Sequence, residues 1–231
     1  MGTGRGIKGR ALMAPRVDFV FRSLFGREKN KDILLGLLNA VLKRTGEKRL
    51  VELFPQLPEI PGEDRLGKGL IMDIQTRDQT GALYNVEIQC ASHIAFKERI
   101  LHYWSRLYGR QLGRGEEYKE LRPVISVIFV DFRLFEKTKE YYNVFELRER
   151  RRHRLFSDHL ELHFIELPRF QRGYEELRSL FERWIYFVKE ANQMTQEMID
   201  QWEDPTIKQA YEELERLSQD PKLWMRYEAQ L

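Results

Sequence analysis

A chain of 231 residues with a formal net charge of +3 is long enough to bury one substantial core, and its total charge alone neither favours nor opposes nucleic acid. Cys90 is the only cysteine, which excludes an intramolecular disulfide and a cysteine-built zinc site and agrees with a reducing cytoplasm. No uninterrupted apolar run approaches the roughly 20 residues that a membrane-spanning helix needs.

The chain opens on MGTGRGIKGR, which is basic, rich in glycine and without the apolar stretch of a signal peptide. Residues 1–13 read as a flexible basic arm, either touching phosphate or simply a loose end. Residues 14–231 read as one domain. DFVFRSLFG predicts a short helix ending at Gly26, with Asp18 as either its N-cap or an acidic extension of a functional site. Asn30 reads as the N-cap of a second helix, which carries Ile33, Leu34, Leu37, Leu38, Val41 and Leu42 at i, i+3, i+4 spacing and stops at Gly46. LVELFP predicts a short strand stopped by Pro55, and PQLPEIPGED a proline-rich connector.

GLIMDIQTRD and ALYNVEIQCA then predict two strands joined through a glycine-containing turn. Side chains alternate along a strand, so Asp73 and Gln75 share one face of the first strand, and Asn85, Glu87 and Gln89 one face of the second. With Gln79, Thr80 and Gly81 as a three-residue loop, Asp73 lies opposite Glu87; a two-residue loop sends the two carboxylates to different faces. Two adjacent carboxylates are tolerable when one is protonated or a cation sits between them. An all-oxygen site suits Mg²⁺ or Mn²⁺. The same pair also fits solvated carboxylates on an exposed sheet face.

Residues 93–115 predict a longer helix with Phe96, Ile100, Trp104, Leu107 and Leu112 on its apolar side. Arg99, Arg106, Arg110 and Arg114 run close to one stripe of it, with Tyr103 nearby, and could hold a phosphate backbone or be a solvated face. PVISVIFVDF predicts a buried strand, and YYNVFELRER and LELHFIEL two more. RERRRHR, Arg148 to Arg154, is a second basic stretch, a groove-side loop or a solvated turn. From about residue 174 the pattern is helical to the end, with Trp184, Phe187 and Val188 as core and a helix opened by Pro205. The five histidines show no metal-ligand spacing. The sum is a mixed α/β domain, a sheet flanked by helices with a helical C-terminal region.

DFVFRSLFG, NKDILLGLLNAVL, KGLIMDIQTRDQTGALYNVEIQ, the run from Arg99 to Phe132, and IELPRF with Trp184 together resemble the recombination-promoting nuclease, or transposase-like, family of the PD-(D/E)XK nuclease superfamily. The most specific piece is an aspartate followed by G-x-x-x-N-x-E-x-Q, here Asp73 and Gly81 to Gln89, supported by R-x-x-x-Y at Arg99 and Tyr103. The resemblance implies a restriction-endonuclease-like fold and Mg²⁺-dependent endonucleolytic hydrolysis of DNA by metal-activated water, linked to recombination or mobile elements. It implies Asp73 and Glu87 as metal-binding catalytic residues; the oxygen-rich site read from the hairpin adds the Ile88 carbonyl as an expected further ligand. Gln89 stands where the superfamily has a catalytic lysine. Arg22 replaces a lysine usual in the family, and Lys68 matches a usual family position. Arg99, Tyr103, Arg106, Arg110 and Arg114 become the expected DNA contacts, and a homodimer would supply two centres for double-strand cleavage. A noncatalytic DNA- or protein-binding member of the same fold is the alternative.

Overall fold

The structure, a computed structural model, describes residues 11–56 and 74–230. Asp73, Lys68, most of the predicted proline-rich connector and the first ten residues of the predicted N-terminal arm lie outside the described residues. The end of that arm is part of the fold. Met13 is buried, and its N–H donates to Ser218 Oγ at 3.0 Å.

Six strands form one sheet in the order β1-β2-β3-β4-β6-β5. They are β1 (Leu53–Gln56), β2 (Ile74–Asp78), β3 (Leu83–Gln89), β4 (Val124–Val130), β5 (Tyr142–Arg148) and β6 (Leu155–Glu166). The β1/β2, β2/β3 and β5/β6 pairs are antiparallel, whereas β3/β4 and β4/β6 are parallel. Parallel neighbours need a crossover, and α3 (Phe96–Gly109) supplies it between β3 and β4. The central strand β4 is buried along its whole length, as its run of Val, Ile and Phe dictates.

The two faces of the sheet differ. Val86, Ile88, Val127, Phe129 and Ile165 point into the main core. That core is closed by α1 (Asp18–Phe25), α2 (Lys31–Val41), α4 (Leu180–Glu190) and α6 (Pro205–Ser218), with the short α5 (Gln196–Asp200) and α7 (Pro221–Glu228) packed around them. Trp184, Phe25 and Phe21 lie at its centre, with Phe25 and Trp184 ring centroids 6.0 Å apart. Ile128, Val130, Leu162 and Phe164 point the other way, into a smaller cluster with Phe96 and Ile100 of α3.

Several local expectations are corrected. Asn30 holds the predicted N-cap position of α2, but its side chain makes no capping bond: its N–H₂ donates to Leu24 O at 2.8 Å, tying the turn after α1 back onto that helix. Asp18 does not cap α1 either; Val17 holds that position, and Asp18 lies in the first turn, paired with Arg22. Helix α2 ends at Val41 rather than Gly46, because Lys43 takes φ 53° and breaks the spiral. Pro55 lies inside β1 and does not stop it. An edge strand has one ladder side unpaired, so a residue without an N–H is tolerated there. Helix α3 spans Phe96–Gly109, shorter than residues 93–115 at both ends, and its entry residue Ala95 has φ 61°. In the C-terminal region, Asp204 caps α6 by accepting from Thr206 N and Ile207 N, with Pro205 at the predicted first position.

Candidate active site

The hairpin between β2 and β3 closes with the three-residue loop Gln79, Thr80 and Gly81. Asp78 N donates to Ala82 O at 3.0 Å, and Gly81, with φ 89°, takes the left-handed conformation that the last loop position requires. The Asp78 carboxylate locks the turn by accepting from Thr80 N, Thr80 Oγ1, Ala82 N and the Tyr84 hydroxyl. The resulting register pairs Gln75 with Asn85 and Ile74 with Val86. This is the register that the three-residue loop predicts, and the two-residue alternative is not formed.

Asn85, Glu87 and Gln89 therefore share the face of β3 that also carries Ser126, Ile128 and Val130 on β4. This is the α3 side of the sheet. Glu87 is 3 % exposed, and among the described residues its buried Oε1 has no hydrogen-bond partner, nor do Gln75 Nε2 and Asn85 Oδ1. The solvated-carboxylate reading of Glu87 does not hold. Burial pushes its carboxyl group up to about 7; the Arg99 guanidinium opposes that shift and the Asp18 carboxylate adds to it.

Helix α3 brings Arg99 to this point in its first turn. Arg99 Nη2 donates to Gln89 Oε1 at 2.7 Å, while the guanidinium carbon stands 4.9 Å from the Phe96 ring centroid and 5.8 Å from that of Tyr103. A guanidinium only donates, so the amide oxygen of Gln89 must face it, leaving the NH₂ of Gln89 as its other end. Tyr103 is buried and its ring helps hold Arg99. From the opposite side the start of α1 approaches. Arg16 O accepts from Cys90 Sγ at 3.1 Å, and Arg16 pairs with Asp131 at 3.6 Å. Gln89 O accepts from Asp131 N at 2.9 Å, so by alternation the Ile88 carbonyl points away from β4, to the β2 side of the strand.

The remaining predicted DNA contacts do not converge here. Helix α3 runs back along the sheet, and Trp104 Nε1 donates to the carbonyl of Val124, the first residue of β4. Arg106 lies in the last turn of α3, Arg110 caps its end, and Arg114 sits in the turn beyond. These three occupy the far end of the sheet from Gln89 and Val130. The basic stretch Arg148 to Arg154 is at that far end too, in the turn between β5 and β6. Sequence reasoning missed the Arg99–Gln89 bond and the two buried amides; the polar row Gln75, Asn85, Glu87, Gln89 was the signal that could have found them.

A buried carboxylate with an orphaned oxygen, beside a second carboxylate at Asp18, fits a hard divalent cation. Among the described residues no group of three His, Cys, Asp or Glu side chains converges on one point. A family model described as PD-(D/E)XK nuclease family transposase matches residues 15–231. The chain belongs to that family. Its mixed six-stranded sheet with flanking helices is the restriction-endonuclease-like fold of the PD-(D/E)XK nucleases. No curated protein and no solved structure matches the chain. Arg99 on α3 brings a cation to Gln89.

Proposed function

We propose that this PD-(D/E)XK protein is a divalent-metal-dependent DNA endonuclease that hydrolyses phosphodiester bonds, with Glu87 at its centre. The observation that carries the reading is the Glu87 carboxylate, buried with one oxygen unpartnered on the face it shares with Gln89 and Arg99. Asp73, the residue immediately before β2, supplies the second carboxylate in this reading. Glu87 and Asp73 would hold Mg²⁺ or Mn²⁺, with the Ile88 carbonyl and Asp18 as further oxygen donors. When bound, such an ion polarises a phosphoryl oxygen and lowers the pKa of water.

The chain's own groups do the rest. Arg99 draws Glu87 toward its ionised form and sets positive charge where the phosphate's negative charge grows. By occupying the Gln89 oxygen, Arg99 turns the Gln89 NH₂ into a fixed donor for a phosphate oxygen or a water oxygen. Neither group is a general base near neutral pH, so proton removal falls to a solvent molecule or to a phosphate oxygen of the substrate. One observation favours the alternative of a noncatalytic DNA- or protein-binding member of the same fold: a carboxylate pushed up to about 7 is only partly ionised at neutral pH.

A plasmid assay separates the two. Wild-type protein should convert supercoiled plasmid to nicked or linear forms with Mg²⁺ and not with EDTA. Asp73→Asn and Glu87→Gln, each checked for folding by circular dichroism, should lose at least about a thousandfold in rate, the scale of removing a group that stabilises the transition state. Absence of Mg²⁺-dependent nicking by wild type, or undiminished nicking by Glu87→Gln, sinks the reading.

A further inference from the structure

The basic stretch Arg148 to Arg154 plays no part at the acidic centre, and its geometry is unusual. Strand β6 has twelve residues, but its pairing with β4 begins only at Leu160, opposite Val124. Leu147 and Arg148 of β5 pair with Ser157 and Leu155, so this end of β5 and β6 projects beyond β4 as a short two-stranded arm, set off from the sheet by a bulge at residues 158–160. The β5/β6 register shifts between Glu146 and Leu147 and again before Arg148, so the arm is re-aimed relative to the sheet.

The tip of the arm is a built turn. Glu149 N donates to Arg154 O at 2.8 Å and His153 N to Glu149 O at 3.0 Å, with His153 at φ 54°. The Glu149 carboxylate accepts from Arg151 N and Arg152 N. Arg148 is spent on structure, donating to Glu146 and to His153 O. Arg150, Arg151, Arg152 and Arg154 are exposed, and among the described residues none of them pairs with a carboxylate. From Glu146 to Arg154 five arginines stand against two glutamates, a surplus of three that equals the net charge of the whole chain, +3. Phe156, next to the turn at the tip of the arm, is 80 % exposed. Tyr108 near the end of α3 meets His159 Nδ1 at 2.9 Å and braces the root of the arm.

We propose that the β5/β6 arm is a second nucleic-acid contact, a β-ribbon that grips the phosphate backbone of duplex DNA away from the cleavage centre. A two-stranded ribbon fits the major groove of B-DNA, and arginines held on a closed turn present fixed donors to phosphate. The tip lies on the order of 25 Å along the sheet from Glu87, at ~3.3 Å per strand residue. That separation corresponds to most of one turn of duplex, so the arm grips flanking DNA and leaves the scissile phosphate to Glu87. The inference rests on DNA as the substrate, but its test does not require cleavage.

The test is fluorescence anisotropy with a labelled 30-base-pair duplex, in EDTA, using full-length protein over a range of salt. Replacing Arg150, Arg151, Arg152 and Arg154 together by alanine should weaken binding at least about tenfold at moderate salt. It should flatten the slope of log affinity against log salt by up to about 3.6, near 0.9 for each phosphate that is no longer neutralised. The four-lysine variant should recover most of the affinity, and melting temperature should be unchanged because all four side chains are exposed. Equal affinity and slope for wild type and the alanine variant overturn the proposal, as does an effect seen with anionic vesicles and not with duplex. Because binding is read without metal, failure of the nuclease reading appears separately, as DNA binding that depends on the arm without Mg²⁺-dependent nicking.

Discussion

The two faces of strand β3 are one residue apart in sequence and opposite in chemistry. Tyr84, Val86 and Ile88 enter a core built from four main helices, where aromatic rings such as Trp184 and Phe25 fill the space. Asn85, Glu87 and Gln89 enter the α3 side, where three buried polar atoms of Gln75, Asn85 and Glu87 have no partner among the described residues. An unmet buried polar atom costs about 1–3 kcal/mol, so the polar row is not there for stability. The main core supplies the stability that such a row consumes, and the proposed centre uses the polar face. The α3 side is itself divided. Phe96 and Ile100 cover the apolar half over β4 and β6, while Arg99 serves the polar half over β3.

This contrast can be broken from either side. The largest effect is expected from the apolar face. Trp184→Ala removes the largest fully buried side chain and should cost about 4 kcal/mol, read by urea denaturation. A destabilisation below about 1 kcal/mol would mean that this core is not where the stability resides.

On the polar face the sign should reverse. The carboxyl of folded Glu87 sits at about 7, above its ordinary 4.5, so the folded state holds its proton more tightly than the unfolded chain does. The stability linked to that proton is fully present below about pH 4.5 and is lost as pH rises through 7. Glu87→Gln removes the dependence. Without divalent cations it should match wild type near pH 4.5 and exceed it by on the order of 3 kcal/mol at pH 8, at roughly 1.4 kcal/mol per pH unit. A stability difference that does not change with pH would contradict the burial of an ionisable Glu87. A smaller effect is expected at Arg99. Arg99→Ala should reduce the cleavage rate about a hundredfold in single-turnover assays, and Arg99→Lys should restore part of it. Equal rates for all three proteins would leave Arg99 as a packing residue stacked on Phe96 and Tyr103.

Much of this was legible in the sequence because it depends on local period. The alternation in LYNVEIQ fixes the faces of β3, Gly81 fixes the loop, and the i, i+3, i+4 spacing of Ile33 to Val41 fixes the buried side of α2. What stayed hidden depends on direction and distance. Arg99, Arg106, Arg110 and Arg114 look like one stripe, but α3 runs away from Gln89, so a short separation along the helix becomes opposite ends of the sheet. The Arg99–Gln89 bond joins residues on two elements whose relative placement no periodicity encodes. Pro55 reads as a strand stop unless β1 is known to be an edge, and RERRRHR reads as an ordinary turn unless β6 is known to outrun β4.

The most direct test of the central claim is calorimetric titration of Mn²⁺ into wild type and Glu87→Gln. Wild type should bind, and below about pH 7 its affinity should rise close to tenfold per pH unit as the Glu87 proton is displaced, while Glu87→Gln should show no comparable site. Identical isotherms for the two proteins would contradict the assignment of Glu87 as a metal ligand.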